Sequence, residues 1–201
     1  MTSFEDVITG SFTGRIIAHS ILVICTVFTV HAQTPDKRVD DIRRSYEQTN
    51  SDIEIAEKEA PYSEIYVVEL TVNKTGNQYP ATGTYSNISK FYYTYGDREK
   101  DPYPNRLLKI AVSTKRSASI TTSEFLFDPA GRLIFGLVRT DGSDQRETQM
   151  YFTAAGQLIK MLDGNRDVNL RIRSVQDTAA AFKRESARLL ALFNASMKEG
   201  L

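Results

Sequence analysis

Six of the ten tyrosines, Tyr79, Tyr85, Tyr92, Tyr93, Tyr95 and Tyr103, fall in one short stretch, together with Phe91, Lys90, Arg98 and Asn105. Aromatic rings offer large contact area at low entropic cost, so such a stretch suits a stacking surface for a sugar or a peptide. Strand alternation would send Phe91, Tyr93 and Tyr95 to one face and Tyr92 to the other. Aromatics are also favoured in strands and line cores beneath helices, and that bland use outweighs the binding one for the central residues. The segment from Tyr79 to Tyr85 and the loop carrying Tyr103 are the parts expected to reach solvent.

Other chemistry is scarce. Both histidines, His19 and His31, and the single cysteine, Cys25, lie within residues 1–32. The remainder therefore lacks the parts for a Ser-His-Asp site, a Cys-His site or a His-ligated zinc. Ser-x-x-Lys spacing occurs nowhere. Glu64, Glu69, Glu124, Asp128 and Glu147 lie on or near expected strands. Paired-carboxylate catalysis needs two acids flanking a cleft, and such residues are more simply the solvent-facing positions of a half-exposed sheet. Asp163-Gly-Asn165-Arg-Asp167 opens like a calcium loop, but Val168 stands where glycine is needed and Ser174 where the bidentate glutamate belongs. Asp97-Arg-Glu99-Lys-Asp101 fails likewise at Pro102. Both read as hairpin turns. No catalytic residue, metal or cofactor is expected.

The elements that must position these residues follow an apolar leader. Residues 16–30 form an uncharged apolar run preceded by Arg15 and followed by Val30-His31-Ala32, a small-x-small pattern. A membrane-spanning helix needs about 20 apolar residues, so residues 1–32 read as a signal peptide, with an uncleaved anchor as the alternative. Cys25 is a poor lipid-attachment site, because bulky Ile24 precedes it and the following residues stay apolar. Beyond the leader, 24 basic residues face 23 acidic ones. That balance gives no footprint for nucleic acid. The expectation is export to the periplasm, the cell surface or the medium, with no membrane contact once the leader is removed. Without cysteine, stability must come from a packed core although disulfides would be permitted there.

Residues 33–201 read as a single α+β domain. Thr34-Pro35-Asp36 is a helix start, and Val39, Ile42, Tyr46, Thr49, Ile53, Ala56 and Ala60 make one stripe of a helix over 33–60. Residues 64–173 switch to period two, with Gly, Pro and Asp pairs between the runs, which predicts an antiparallel β-meander of about seven to nine strands. The runs are 64–72, 90–96, 106–115, 119–127, 132–140, 147–153, 157–162 and 168–173. A second helix is expected over 174–199, opened by Ser174 with Asp177 as its capping partner, its apolar stripe running through Ala179, Phe182, Ser186, Leu189, Leu190 and Phe193.

The middle of the chain repeats itself. EFLFDPAGRLIFGL (124–137) returns as QMYFTAAGQLIKML (149–162), with identity at Phe127/Phe152, Ala130/Ala155, Gly131/Gly156, Leu133/Leu158, Ile134/Ile159 and Leu137/Leu162. Each copy reads as a strand, a turn with glycine where φ must be positive, and a return strand. The first copy, with its F-x-F-D-x-x-G-R-L run from Phe125 to Leu133, resembles the YD repeat of Rhs and teneurin-type proteins. The second lacks the Asp and the Arg. The resemblance implies repeated hairpins and an exported setting, and no catalytic residue. Residues 64–95 are also similar to uncharacterised exported proteins of Bacteroidetes-type bacteria. The expected role is a non-catalytic binding or scaffold protein of the bacterial envelope, with an envelope glycan or protein as partner. The alternatives are a carboxylate enzyme acting on envelope glycans, and an inhibitor or immunity-type protein acting through an exposed loop such as 96–105.

Overall fold

The computed structural model describes residues 35–199 apart from 80–82, 98, 101, 102, 118, 143 and 144. The expected signal peptide, Thr34 and Gly200 lie outside the described residues. Helix α1 spans Pro35–Glu59, and its stripe buries Val39, Ile42, Ile53 and Ala56, with Tyr46 and Thr49 half-buried. Ala60 falls beyond the helix and is exposed.

Nine strands follow: β1 (Ile65–Val72), β2 (Gln78–Tyr79), β3 (Gly83–Tyr95), β4 (Pro104–Arg116), β5 (Ser119–Phe127), β6 (Leu133–Asp141), β7 (Arg146–Phe152), β8 (Leu158–Asp163) and β9 (Arg166–Asp167). They form one antiparallel sheet in which β1 and β3 to β9 lie in chain order, and β2 pairs with the start of β3. Short connections force this arrangement, since none is long enough to carry a crossover to a parallel neighbour. Helix α2 (Arg173–Glu199) closes the fold.

The two echoed phrases build hairpins with the same turn bonds. The amide of Gly131 donates to Asp128 O and that of Gly156 to Thr153 O, each at 2.8 Å. Asp128 N donates to Arg132 O and Thr153 N to Gln157 O, each at 2.9 Å. Both glycines take the left-handed backbone, φ 73° and 76°, that a side chain disfavours. A register shift precedes each turn, at Leu126/Phe127 and at Tyr151/Phe152.

One helix packs on each face of the sheet. Alternation sends Phe91, Tyr93, Ile110, Val112, Phe125, Phe127, Met150 and Phe152 to the α2 side, where they meet Val175, Ala179, Phe182, Leu189 and Phe193. Leu126, Phe135, Leu137 and Tyr151 point the other way, onto Val39 and Ile42 of α1. The sheet can therefore bury large side chains on both faces in its central strands, while β1 at one edge leaves Val67, Leu70 and Val72 exposed and β9 at the other edge carries two charged residues.

Three expectations are corrected. The run 168–173 is not a strand, because the ladder ends in the short β8–β9 hairpin. Val168 and Leu170 pack on the core from an irregular segment, and Asn169 turns the chain by accepting the amide of Arg171 on its side chain and that of Ile172 on its carbonyl. Helix α2 begins one residue before Ser174, so Asp177 is bonded by Arg173 at 3.2 Å. Strand β3 begins at Gly83, well upstream of the expected 90.

Candidate functional site

The early half of β3 has the look of a loop in sequence because its inward residues are polar. Tyr85, Asn87 and Ser89 alternate onto the α2 face and pair with Arg116, Thr114 and Val112 of β4. Helix α2 crosses the sheet beside them but leaves this corner open. The result is a cleft of about 320 Å³, floored by Asn87, Ser89, Thr114 and Ser123 and walled by Leu70, Val72, Glu185, Arg188 and Leu192.

The floor is a bonded ladder. Ser89 Oγ donates to Asn87 Oδ1 at 3.0 Å, and Asn87 Nδ2 donates to Thr114 Oγ1 at 2.9 Å. Both ends remain able to bond further, since a hydroxyl carries one donor and two acceptor sites. At the mouth the Arg116 guanidinium sits 5.6 Å over the Tyr85 ring, and Tyr79 meets that ring edge-on at 6.1 Å. On the helix side Arg188 forks onto Glu185 with bonds of 2.8 and 2.6 Å. That hydrogen bond, more than the slight burial opposing it, holds the Glu185 carboxyl below the usual range and the guanidinium above its own.

The tyrosines of the dense stretch do not converge on one surface. Tyr92 and Tyr93 are core residues, 7% and 6% exposed, on opposite faces of the sheet. Tyr93 and Tyr95 pack with Tyr66 in an aromatic cluster under the end of α2, with Phe193 against Tyr93. Tyr92 donates to Glu57 Oε1 at 3.1 Å, and burial first, then that carboxylate, pushes its hydroxyl up to about 12. Tyr85 lines the cleft, Tyr79 stands beside it at 43% exposure, and Tyr103 is 41% exposed in the β3–β4 connection. Of the six tyrosines, Tyr85 alone therefore lines the cleft, with Tyr79 against its ring. Arg98 and the Asn105 side chain lie outside the described residues. The cleft residues Thr114, Arg116 and Arg188 carry no chemical motif in sequence, Asn87 has only the Asn-x-Ser pattern of residues 87–89, and alternation in a longer β3 was the signal that could have placed Asn87 in the cleft.

The acids are dispersed. Asp128 pairs with Arg132 at 2.7 Å, and Glu147 with Arg139 at 2.7 Å. Glu124 is drawn into a buried polar cluster beneath α1, where it meets Lys109 Nζ at 2.6 Å and accepts the Tyr46 hydroxyl at 2.6 Å. Lys109 also donates to Asn50 Oδ1 at 2.6 Å. Burial and the Glu124 bond push the Tyr46 hydroxyl far above its ordinary range, so it remains a donor. Among the described residues, no group of three or more metal-ligating side chains is placed to hold an ion, and no helix is long and apolar enough to cross a membrane.

No family model, curated protein or solved structure matches the chain. The functional reading rests on the cleft alone. It offers hydroxyl and amide bonding, the Tyr85 ring at its mouth with the buried Phe125 in its lining, and two guanidinium groups, but a single carboxylate that is already ion-paired. A general acid needs a raised pKa, and Glu185 has the opposite.

Proposed function

We propose that this is an exported, non-catalytic binding protein of the bacterial envelope whose ligand is a glycan taken into the cleft between α2 and β3–β5. The observation that carries the reading is the bonded floor of Asn87, Ser89 and Thr114 beside the Tyr85 ring. Sugars present ring faces and rows of hydroxyls, and this surface answers both, with the guanidinium groups of Arg116 and Arg188 suited to an acidic substituent. The leader-like apolar run of residues 16–30 supports the exported setting. The carboxylate-enzyme alternative would need two acids across the cleft, and the inhibitor alternative draws only on the exposure of Tyr103.

Calorimetric or NMR titration of the purified protein with neutral and acidic envelope-glycan fragments tests the proposal. Saturable binding is expected, weakened about tenfold or more by Tyr85→Ala and by Asn87→Ala, in line with about 1.4 kcal/mol or more per lost contact. Absence of saturable binding by any fragment, or binding untouched by both substitutions, would overturn it.

A further inference from the structure

The polar floor of the cleft continues past the cover of α2. A second depression, of about 310 Å³, is lined by Thr114, Arg116, Ser119 and Thr121, with no residue of the helix among them. Thr114 and Arg116 line the cleft as well, so the two depressions share part of their floor. Residues directly paired across antiparallel strands lie on one face, and the pairing draws out a row. Asn87 pairs with Thr114, Thr114 with Thr121, and Thr121 with Thr140. Neighbouring strands lie about 4.7–4.9 Å apart, so the row runs about 14–15 Å from β3 to β6. The β4–β5 register is unbroken from Lys109 to Arg116. The shifts in β3–β4 and β5–β6 fall at Tyr92/Tyr93, Thr94/Tyr95 and Leu126/Phe127, toward the other end of these strands.

The chemistry of the row is uniform. From Asn87 to Thr140 it presents one amide and three threonines, with no carboxylate and no ring. The Thr121 and Thr140 hydroxyls lie 3.4 Å apart on half-buried side chains. Each keeps bonding capacity beyond that contact, because a hydroxyl has one donor and two acceptor sites. Threonine also sets a methyl beside its hydroxyl, matching the C–H and O–H groups that alternate around a sugar ring. At the β3 end the row passes into the cleft, where Val72 pairs with Asn87. At the β6 end Thr140 pairs with Arg146, which is bound to Asp163 at 3.4 Å. An extended peptide is poorly served by this face, since it needs either an open strand edge or apolar pockets for its side chains.

We propose that the ligand of the cleft is a linear oligosaccharide whose chain leaves the cleft past Arg116 and lies across β4, β5 and β6 on the threonine row. The inference rests on the glycan reading of the cleft and adds a length and a direction to it. One end of the chain occupies the cleft at Tyr85 and Asn87, and the following sugars bond Thr121 and Thr140.

The test titrates the purified protein with two linear series, acidic oligogalacturonates and neutral chitin oligomers, each as disaccharide, tetrasaccharide and hexasaccharide. At least one series should bind, with affinity rising about tenfold or more from disaccharide to tetrasaccharide, the gain of two or three further hydrogen bonds. The NMR amide signals of Thr121 and Thr140 should move with the tetrasaccharide and stay still with the disaccharide. Thr121→Val and Thr140→Val keep a β-branched side chain suited to a strand. Each should remove most of the length gain while the thermal midpoint stays within a few degrees. Affinity that does not change with length, a gain untouched by both substitutions, or tetrasaccharide contacts confined to the cleft overturns this inference and leaves the cleft reading standing. Binding by neither series overturns it too, and titration with the envelope-glycan fragments then decides whether the cleft reading falls with it.

Discussion

Asp128 and Thr153 occupy equivalent places in two turns, which isolates what one side chain adds to a fixed backbone. The Asp128 carboxylate accepts the amides of Ala130 and Arg132, both at 2.9 Å, and the Arg132 Nε at 2.8 Å. Thr153 Oγ1 accepts only the amide of Gln157, at 3.1 Å. Asp128→Ala should therefore cost about 1.5–3 kcal/mol and Thr153→Ala about 0.5–1 kcal/mol, read from denaturant midpoints. Partial burial pushes the Asp128 carboxyl up, but the Arg132 and amide bonds outweigh it and the net shift is downward. A carboxyl lowered in the folded state stabilises the protein above the unfolded value, about pH 4, and loses that contribution as pH falls further. The stability of Asp128→Asn should consequently fall less steeply than that of the parent below about pH 4. An identical acid limb in the two proteins would contradict the assignment.

Helix α2 and the central strands meet with almost no space between them. A Cβ built on Gly136 would lie 2.2 Å from Phe182 Cε1, and the Phe182 ring stacks on Phe125 at 4.3 Å. Gly136→Ala should destabilise the fold by about 1–3 kcal/mol through overpacking. Combining it with Phe182→Leu should give less than the sum of the two single losses, a coupling that a double-mutant cycle measures. At this scale much was legible in the sequence. The hairpins from β5 to β8 announced themselves through apolar alternation broken by Asp-Pro-Ala-Gly, Asp-Gly and Ala-Gly turns. The first half of β3 did not, because Tyr85, Asn87 and Ser89 turn polar groups to the face where apolar ones were sought. Val168, Leu170 and Ile172 alternate like a strand, yet Asn169 caps the chain into α2 before any ladder can form. Local patterning fails at β3 because that strand serves the cleft as well as the core.

Across the whole molecule, three layers are held by different means. Aromatic packing fixes α2, whereas α1 adds a buried polar cluster of Tyr46, Asn50, Lys109 and Glu124 to its thinner apolar stripe. The Lys109 and Glu124 side chains are 9% and 13% exposed. Removing one charge strands the other, so Lys109→Met should cost about 3–5 kcal/mol. Adding Glu124→Leu and Tyr46→Phe should recover most of that loss, because no buried charge then lacks its partner. A triple variant no more stable than Lys109→Met would show that the cluster was not responsible. No reading of the sequence could assemble these four residues or the cleft. Each draws on elements far apart in the chain, and their joining depends on how each helix crosses the sheet. The stepwise order of the strands has a consequence in time. Each hairpin can be laid beside the last as the chain emerges, but the cover for Phe91, Phe125 and Phe152 arrives only with α2. Until Phe182 and Phe193 are available, a broad aromatic face stands open, and a partly made chain is at its most adhesive when it is almost finished.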